Sequence, residues 1–313
     1  MPQCLVFALR NDDGEIAVSS LELLTLARRL GEPAVVICGE PDEPTLARLG
    51  EFGAWVVYAG PADDEPGAQA DLLLEAARRG CAACVLIASS AEGKRVAARL
   101  AVRLDCGIVT DAVDVEPGPV AVQSVFAGAW FVRSGGRRGP LVITVRPNAA
   151  RPEAFAATPR LERLEGRAQE PARVARVVSR EPRERGGRPA LAEAAVVVSG
   201  GRGVGSEEGF KLIERLADAF GGAVGASRGA TDEHWYPREF QVGQTGKSVA
   251  PRLYFAAGIS GAIQHRAGMQ GSRTVVAVDT DPKAPIFQAA DFGVVGDLHT
   301  VLPALIEEIG RRS

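Results

Sequence analysis

The stretch Pro251-Arg-Leu-Tyr-Phe-Ala-Ala-Gly-Ile-Ser-Gly-Ala-Ile-Gln-His-Arg-Ala-Gly268, continued by Thr274-Val-Val-Ala-Val-Asp-Thr-Asp-Pro282, decides the fold of the C-terminal half. Leu253 to Ala257 is a short apolar run, as expected of a strand buried on both faces of a parallel sheet. Gly258 and Gly261 bracket Ser260 at a turn, and Ala262 to Met269 reads as a helix. A helix that starts just after a strand leaves backbone N–H groups unpaired and suits a phosphate. Val275 to Val278 is the next strand, with Asp279 at its carboxyl end. Open α/β sheets bind ligands there, and an acid can take ribose hydroxyls. The spacing is G-x-x-G rather than G-x-G-x-x-G, so the turn alone does not identify a nucleotide.

The flanking sequence repeats the pattern. Ala194 to Val198 runs into Ser199-Gly-Gly-Arg-Gly-Val-Gly205 and a helix over Ser206 to Phe220, with Ser206 as cap and two acids behind it. Glycines in such a turn allow close backbone approach, and Arg202 offers forked donors. Ala223 to Ala226 is a strand ending at Ser227-Arg228-Gly229. The long irregular stretch Ala230 to Lys247 has the character of a functional loop. Asp291 to Gly296 is a further strand, Asp297 stands at its end, and Leu302 to Arg311 is the closing helix. One crevice therefore collects Arg202, Ser227, Arg228, Gln244, Thr245, Ser260, Gln264, His265, Asp279 and Asp297. Hydroxyls, glycines and arginines suit a pyrophosphate, and a carboxylate suits a ribose. No G-x-S-x-G is present, and His234, His265 and His299 lack metal-ligand spacing. Ser260 and His265 share one helix start without an orienting acid.

Residues 3 to 110 alternate strand and helix. The strands are Leu5–Leu9, Ala34–Cys38, Ala54–Tyr58 and Val85–Ala88. The helices are Ser19–Leu30 (amphipathic), Glu43–Leu49, Gln69–Arg79 and Ala91–Leu104. That rhythm predicts a parallel sheet covered on both faces. Ser89-Ser-Ala-Glu-Gly-Lys94 lacks P-loop spacing, and its serines read as helix caps. The β-type runs Val120–Phe126, Ala129–Arg133 and Leu141–Arg146 read as an antiparallel extension.

The chain has 313 residues, enough for two domains, with net charge −3 and 5% aromatics. Neither a basic surface nor stacking rings are indicated, which argues against nucleic-acid binding. No apolar run approaches the ~20 residues of a bilayer span, so no membrane insertion is expected. Five scattered cysteines favour reduced thiols and a cytoplasmic location. Cys81-Ala-Ala-Cys84 follows a helix rather than opening one, so it reads as structural. Residues 151 to 190 are rich in arginine, glutamate and proline. They read as a linker, with an extended edge strand at Arg173 to Val178. The domains are then 1–150, the 151–190 linker, and 191–313.

In order along the chain, Ser199-Gly-Gly-Arg-Gly203, Gly225-Ala-Ser-Arg228, Gln241-Val-Gly-Gln-Thr-Gly-Lys247, Gly258 to His265, and Ala277 to Phe287 resemble the signature of electron-transfer flavoprotein alpha subunits. The likeness extends over nearly the whole chain. It implies two α/β domains, each a mostly parallel doubly wound sheet, the C-terminal one Rossmann-like and FAD-binding. It implies an electron carrier rather than an enzyme. The partner would be a beta subunit, the donors flavin dehydrogenases, and the acceptor a quinone reductase or another protein. By resemblance, Arg202, Ser227, Arg228, Val242, Gly243, Gln244, Thr245, Ser260, Gly261, Ala262, Ile263, Gln264, His265, Asp279, Asp297 and Leu298 would touch FAD. Arg228 would lie against the isoalloxazine, Thr245 near N5 and His265 near the C2 carbonyl. A positive or donor-rich surround there would favour one-electron reduction. Two residues depart from the family pattern. Asp279 replaces an asparagine and, ionised, can only accept hydrogen bonds, and Phe255 replaces an aliphatic residue. From the residues alone, an NAD-dependent oxidoreductase or a nucleotide-binding module without redox activity stays open.

Overall fold

Short apolar strands alternating with helices build a mostly parallel sheet in each half of the chain. The computed structural model describes residues 2–11, 14–126, 128–166 and 187–312. Two compact units form, one from residues before 167 and the other essentially from residues after 186.

In the first unit, strands β1 (Gln3–Phe7), β2 (Glu32–Cys38), β3 (Val56–Gly60) and β4 (Cys84–Ala88) pair in parallel. Helices α1 (Val18–Ala27), α2 (Glu43–Glu51), α3 (Pro66–Arg79) and α4 (Ala91–Leu104) connect and follow them. Strands β5 (Ile108–Glu116), β6 (Val120–Val125), β7 (Trp130–Gly135), β8 (Leu141–Val145) and β9 (Arg160–Arg163) complete a nine-stranded sheet. Its order is β7-β6-β5-β8-β4-β1-β2-β3-β9. Alternate residues of β4 feed opposite cores: Leu86 packs with Leu24 and Val35, whereas Val85 and Ile87 pack with Leu73 and Leu100. Ser90 caps α4, its Oγ accepting from Gly93 N at 2.9 Å.

Three features of this unit differ from the expectation. First, β8 is parallel to both β4 and β5; the antiparallel pairings are those of β6 with β5 and with β7. All five β8 residues are buried, the mark of a strand covered on both faces. Second, α1 is buried almost all round rather than amphipathic. Its polar side chains have partners: Glu22 accepts from Asn148 N (2.8 Å), Thr25 from Glu153 N (3.0 Å), and the Arg28 guanidinium lies 5.2 Å from the Phe155 ring centre. Third, the start of the expected linker is therefore a packed part of this unit. Its residues 160–163 form β9, in parallel register with β3. Arg160 and Arg163 pair with Glu162 and Glu40 on an exposed edge, so the composition reads as solvated although the backbone is paired. The strand expected at Arg173 to Val178 lies outside the described residues.

Cys84 and Cys81 do not act as a pair. Cys84 is buried in β4 beside Cys4 of β1, with the sulfurs 3.0 Å apart, whereas Cys81 is exposed. Burial pushes the Cys4 thiol up, which suppresses its reactivity. Among the described residues no helix is long and apolar enough to cross a membrane, and no three metal-ligating side chains cluster.

The second unit has five parallel strands, β10 (Val196–Gly200), β11 (Ala223–Ala226), β12 (Leu253–Ala257), β13 (Thr274–Asp279) and β14 (Phe292–Val295). Their order is β11-β10-β12-β13-β14. Helices α5 (Glu207–Ala219), α6 (Arg228–Asp232), α7 (Ile263–Met269) and α8 (Leu298–Arg312) accompany them. One core joins Phe210, Ile213 and Leu216 of α5 to Leu298 and Leu302 of α8; the other holds Tyr254, Met269 and Ile286. Helix α8 starts four residues before the expected Leu302, because Asp297 Oδ1 accepts from His299 N (2.9 Å) and opens the helix ahead of Pro303.

The central placement of β4 gives a test of the first unit. Leu86 is fully buried, and Leu86→Ala should cost about 2–5 kcal/mol, read as a lowered urea midpoint.

Candidate functional site

The strand order places the chain reversal between β10 and β12. From β10 the chain steps outward to β11, then crosses back to build β12, β13 and β14 on the other side. In sheets of this order the ligand crevice opens at the carboxyl ends of the strands flanking the reversal. Here two turns meet there with almost no side chains between them. Gly201 N donates to Ala257 O (2.9 Å) and Gly203 N to Gly258 O (3.0 Å). A methyl group on Gly201 would lie 2.0 Å from the Gly258 oxygen, and one on Gly203 would lie 2.6 Å from Gly258 Cα. Gly258 also has φ +62°, a conformation that disfavours a side chain.

The other site residues gather around this contact. The Arg202 stem lies over Gly229, close enough that a methyl there would be 2.8 Å from Arg202 Cγ. Arg228 is exposed, held by Asp232 at 3.2 Å. The 241–247 loop folds on itself through Lys247 N to Gln241 O (2.7 Å) and Gly243 N to Lys247 O (3.1 Å). It docks on α7 through Gln244 N to Gln264 O (2.8 Å), and Gly268 lets the two backbones touch, since a methyl there would meet Gly243 N at 2.3 Å. Ser260 O accepts from Ile286 N (3.0 Å), so the Ala284–Phe287 stretch supports the Ser260–Gly261 turn from behind. Leu298 is buried against Gly258.

Several site residues also serve the local backbone. Ser227 caps α6, Asp297 caps α8, and Asp279 Oδ1 accepts from Asp281 N at 2.9 Å. At the start of α5, Ser206 already accepts from Gly209 N, and Glu207 and Glu208 follow. Those acids oppose a phosphate at that helix. By contrast, α7 begins without a side-chain cap or an acid in its first turn, beside exposed Ser260, Ile263 and Gln264. Of these two helix starts, only that of α7, at the Ser260–Gln264 turn, has neither a side-chain cap nor a first-turn acid.

His265 belongs to the donor side of the expected positive or donor-rich surround. It is 6% exposed, and Nε2 lies 2.8 Å from Tyr254 Oη, itself fully buried. Burial drives the imidazole pKa down to about 4; the nearby Val242 backbone opposes this in part, although Nδ1 makes no hydrogen bond of normal geometry. The ring is thus neutral at physiological pH, a donor or acceptor rather than a cation. Ser199 Oγ is likewise interior without a well-formed bond. Tyr254 and Ser199 were not among the expected site residues. The signal for them is a hydroxyl within each otherwise apolar strand, which periodicity reads simply as core.

A separate cleft of about 460 Å³ opens beside α5, lined by Phe210, Glu214, Trp235, Tyr236 and Arg238 among others. None of its lining comes from the turns after β12, β13 or β14. The close glycine contacts lie at the chain reversal and not in this cleft.

Comparison with known proteins agrees with that geometry. Residues 4–181 match the family described as electron transfer flavoprotein domain, and residues 190–270 match the electron transfer flavoprotein FAD-binding domain. The chain is 46% identical to the electron transfer flavoprotein subunit alpha of Mycobacterium leprae, covering 100% of this chain and 99% of that one. It is 47% identical to the protein of the same name from Mycobacterium tuberculosis, with the same coverage, and 36% identical to that of Bacillus subtilis over 95% and 94% of the two chains. The C-terminal unit is an FAD-binding domain, and its side-chain-free turns, uncapped α7 and two arginines fit a dinucleotide. The chain belongs to the electron transfer flavoprotein alpha-subunit family.

Proposed function

We propose that this chain carries FAD in a heterodimer with a beta subunit, in the cytoplasm, receiving electrons from flavin dehydrogenases and passing them to a quinone reductase or another acceptor. The carrying observation is the side-chain-free crevice floor at the chain reversal, within a stretch that matches the FAD-binding family. His265 Nε2 is engaged by Tyr254 rather than by Ser260. Bound FAD supplies reversible electron acceptance.

The chain's own residues then have distinct tasks. Gly201, Gly203 and Gly258 keep the crevice floor free of side chains, and the Ser260–Gln264 turn offers backbone donors to the pyrophosphate. Asp279 accepts from ribose hydroxyls. Arg228 supplies positive charge. Its ion pair with Asp232 is exposed and four residues distant, a class of contact worth little, so the guanidinium is free to turn toward a ligand. Thr245, Val242 and Gly243 line the same end. His265 contributes a neutral ring held by Tyr254, so the charge that favours an electron-rich ring comes from Arg228 and Arg202.

Copurified alpha and beta chains should be yellow and release FAD on denaturation; a colourless heterodimer would end this reading. In the holoprotein, Arg228→Ala should lower the one-electron reduction potential by roughly 60 mV, about 1.4 kcal/mol. An unchanged potential would remove Arg228 from the role.

The depressed His265 pKa sets a pH dependence of stability. The unfolded ring takes a proton near pH 6.5, whereas the folded ring resists until about pH 4. Between those values the unfolded state binds more protons, so stability falls as pH drops. The full penalty is on the order of 3 kcal/mol and is complete near pH 4. Thermal midpoints of the complex from pH 7.5 to 4.5 should fall more steeply in wild type than in His265→Gln; parallel curves would count against a buried neutral ring.

A further inference from the structure

Behind the crevice lies a polar contact that neither capping nor backbone pairing accounts for. Gln241 is 1% exposed and Thr231 is 5% exposed. The Thr231 hydroxyl donates to Gln241 Oε1 (3.2 Å) and also lies 3.1 Å from the Arg228 carbonyl. Gln241 Nε2 donates to Thr245 Oγ1 (2.9 Å). The Gln241 backbone is fixed independently: it bridges to Ala226 at the end of β11, its N–H donates to Arg238 O (3.1 Å), and its carbonyl accepts from Lys247 N.

Resting on the FAD reading above, we infer that Gln241, braced by Thr231, is a positioning residue that locks the Thr245 hydroxyl and the Arg228 turn into one arrangement facing the flavin. Burying an amide is costly unless both of its ends are paired, and an apolar side chain of similar volume would fill the space without that cost. Both amide ends here reach hydroxyls. One leads to the turn that carries Arg228, and the other to a threonine exposed at the crevice. The bond to Thr245 also has a direction. Its oxygen accepts from Gln241, so its own proton is left to donate outward. The brace thus fixes both the rotamer and the donor direction of a hydroxyl that would otherwise turn freely.

The test is a double-mutant cycle in the copurified heterodimer, with Gln241→Met, Thr245→Val and the pair. FAD dissociation is read by flavin fluorescence. Each single change should raise the Kd about tenfold, and the pair should be no weaker than the worse single, because one route is removed twice. A hundredfold, additive loss in the pair, or a Gln241→Met protein within twofold of wild type, would overturn the inference. Gln241→Glu covers the case in which Gln241→Met does not fold. It keeps the shape but can only accept, so it turns the Thr245 proton inward and brings negative charge; the reduction potential of bound FAD should fall, and an unchanged potential would also overturn the inference. The same cycle on thermal unfolding of the flavin-free complex separates the two readings. Coupling there, in a wild type that binds no FAD, would keep the brace and remove the proposed function. FAD binding without coupling would keep the function and remove the brace.

Discussion

The contact on which the C-terminal unit depends is the meeting of two backbones at the chain reversal. Strands β10 and β12 are neighbours, yet the loops leaving them run in opposite directions across the sheet. A crevice must open between such loops, and its floor is as deep as the closest approach of the two turns. Gly201, Gly203 and Gly258 let that approach reach backbone contact. A single Cβ at any of them would push the turns apart. The hydrogen bonds Gly201–Ala257 and Gly203–Gly258 would then be lost, and with them the alignment of every strand end beyond.

What lies behind the floor is polar, which is unusual for the centre of a sheet. Tyr254, His265, Ser199, Gln241 and Thr231 are all buried. In a low-dielectric interior an unpaired group of this kind is expensive, while a paired one is rigid. Tyr254 holds His265 from one side, and Gln241 sits between Thr231 and Thr245 on the other. Desolvation keeps the imidazole neutral, so this layer contributes orientation and no net charge. Arg202 and Arg228, both exposed, supply positive charge outside this layer.

The legible parts of the sequence were those whose pattern is local. The run from Leu253 to Ala257, its glycine turn and the strand ending at Asp279 were placed within a residue or two, because each is short, apolar and bounded by turn residues. The caps at Ser90 and Ser206 were legible for the same reason. The direction of β8 was not, since periodicity records burial and not which neighbour a strand chooses. Nor was the burial of α1: its covering partners, Asn148, Glu153 and Phe155, lie over a hundred residues away in a stretch whose arginines and glutamates read as solvent. The state of His265 was hidden too. Whether a histidine at a helix start is charged depends on its burial, which the local sequence does not record.

The site's polar side chains carry an unequal burden, which bears on why the fold tolerates Asp279. An ionised carboxylate facing a dinucleotide should repel its phosphates. Here one Asp279 oxygen already accepts from Asp281 N, and its own carbonyl accepts from Gly296 N, so the side chain is tied to the turn after β13. The uncapped start of α7 follows a different strand, β12. The acid therefore stands at the end of one strand and the uncapped helix start at the end of its neighbour. On the proposed reading, a dinucleotide laid across the strand ends would meet these separately: ribose hydroxyls would donate to the carboxylate while the phosphates stay with the backbone N–H groups. On that reading, an acceptor at position 279 suits its place, because the ribose hydroxyl it would face is itself a donor.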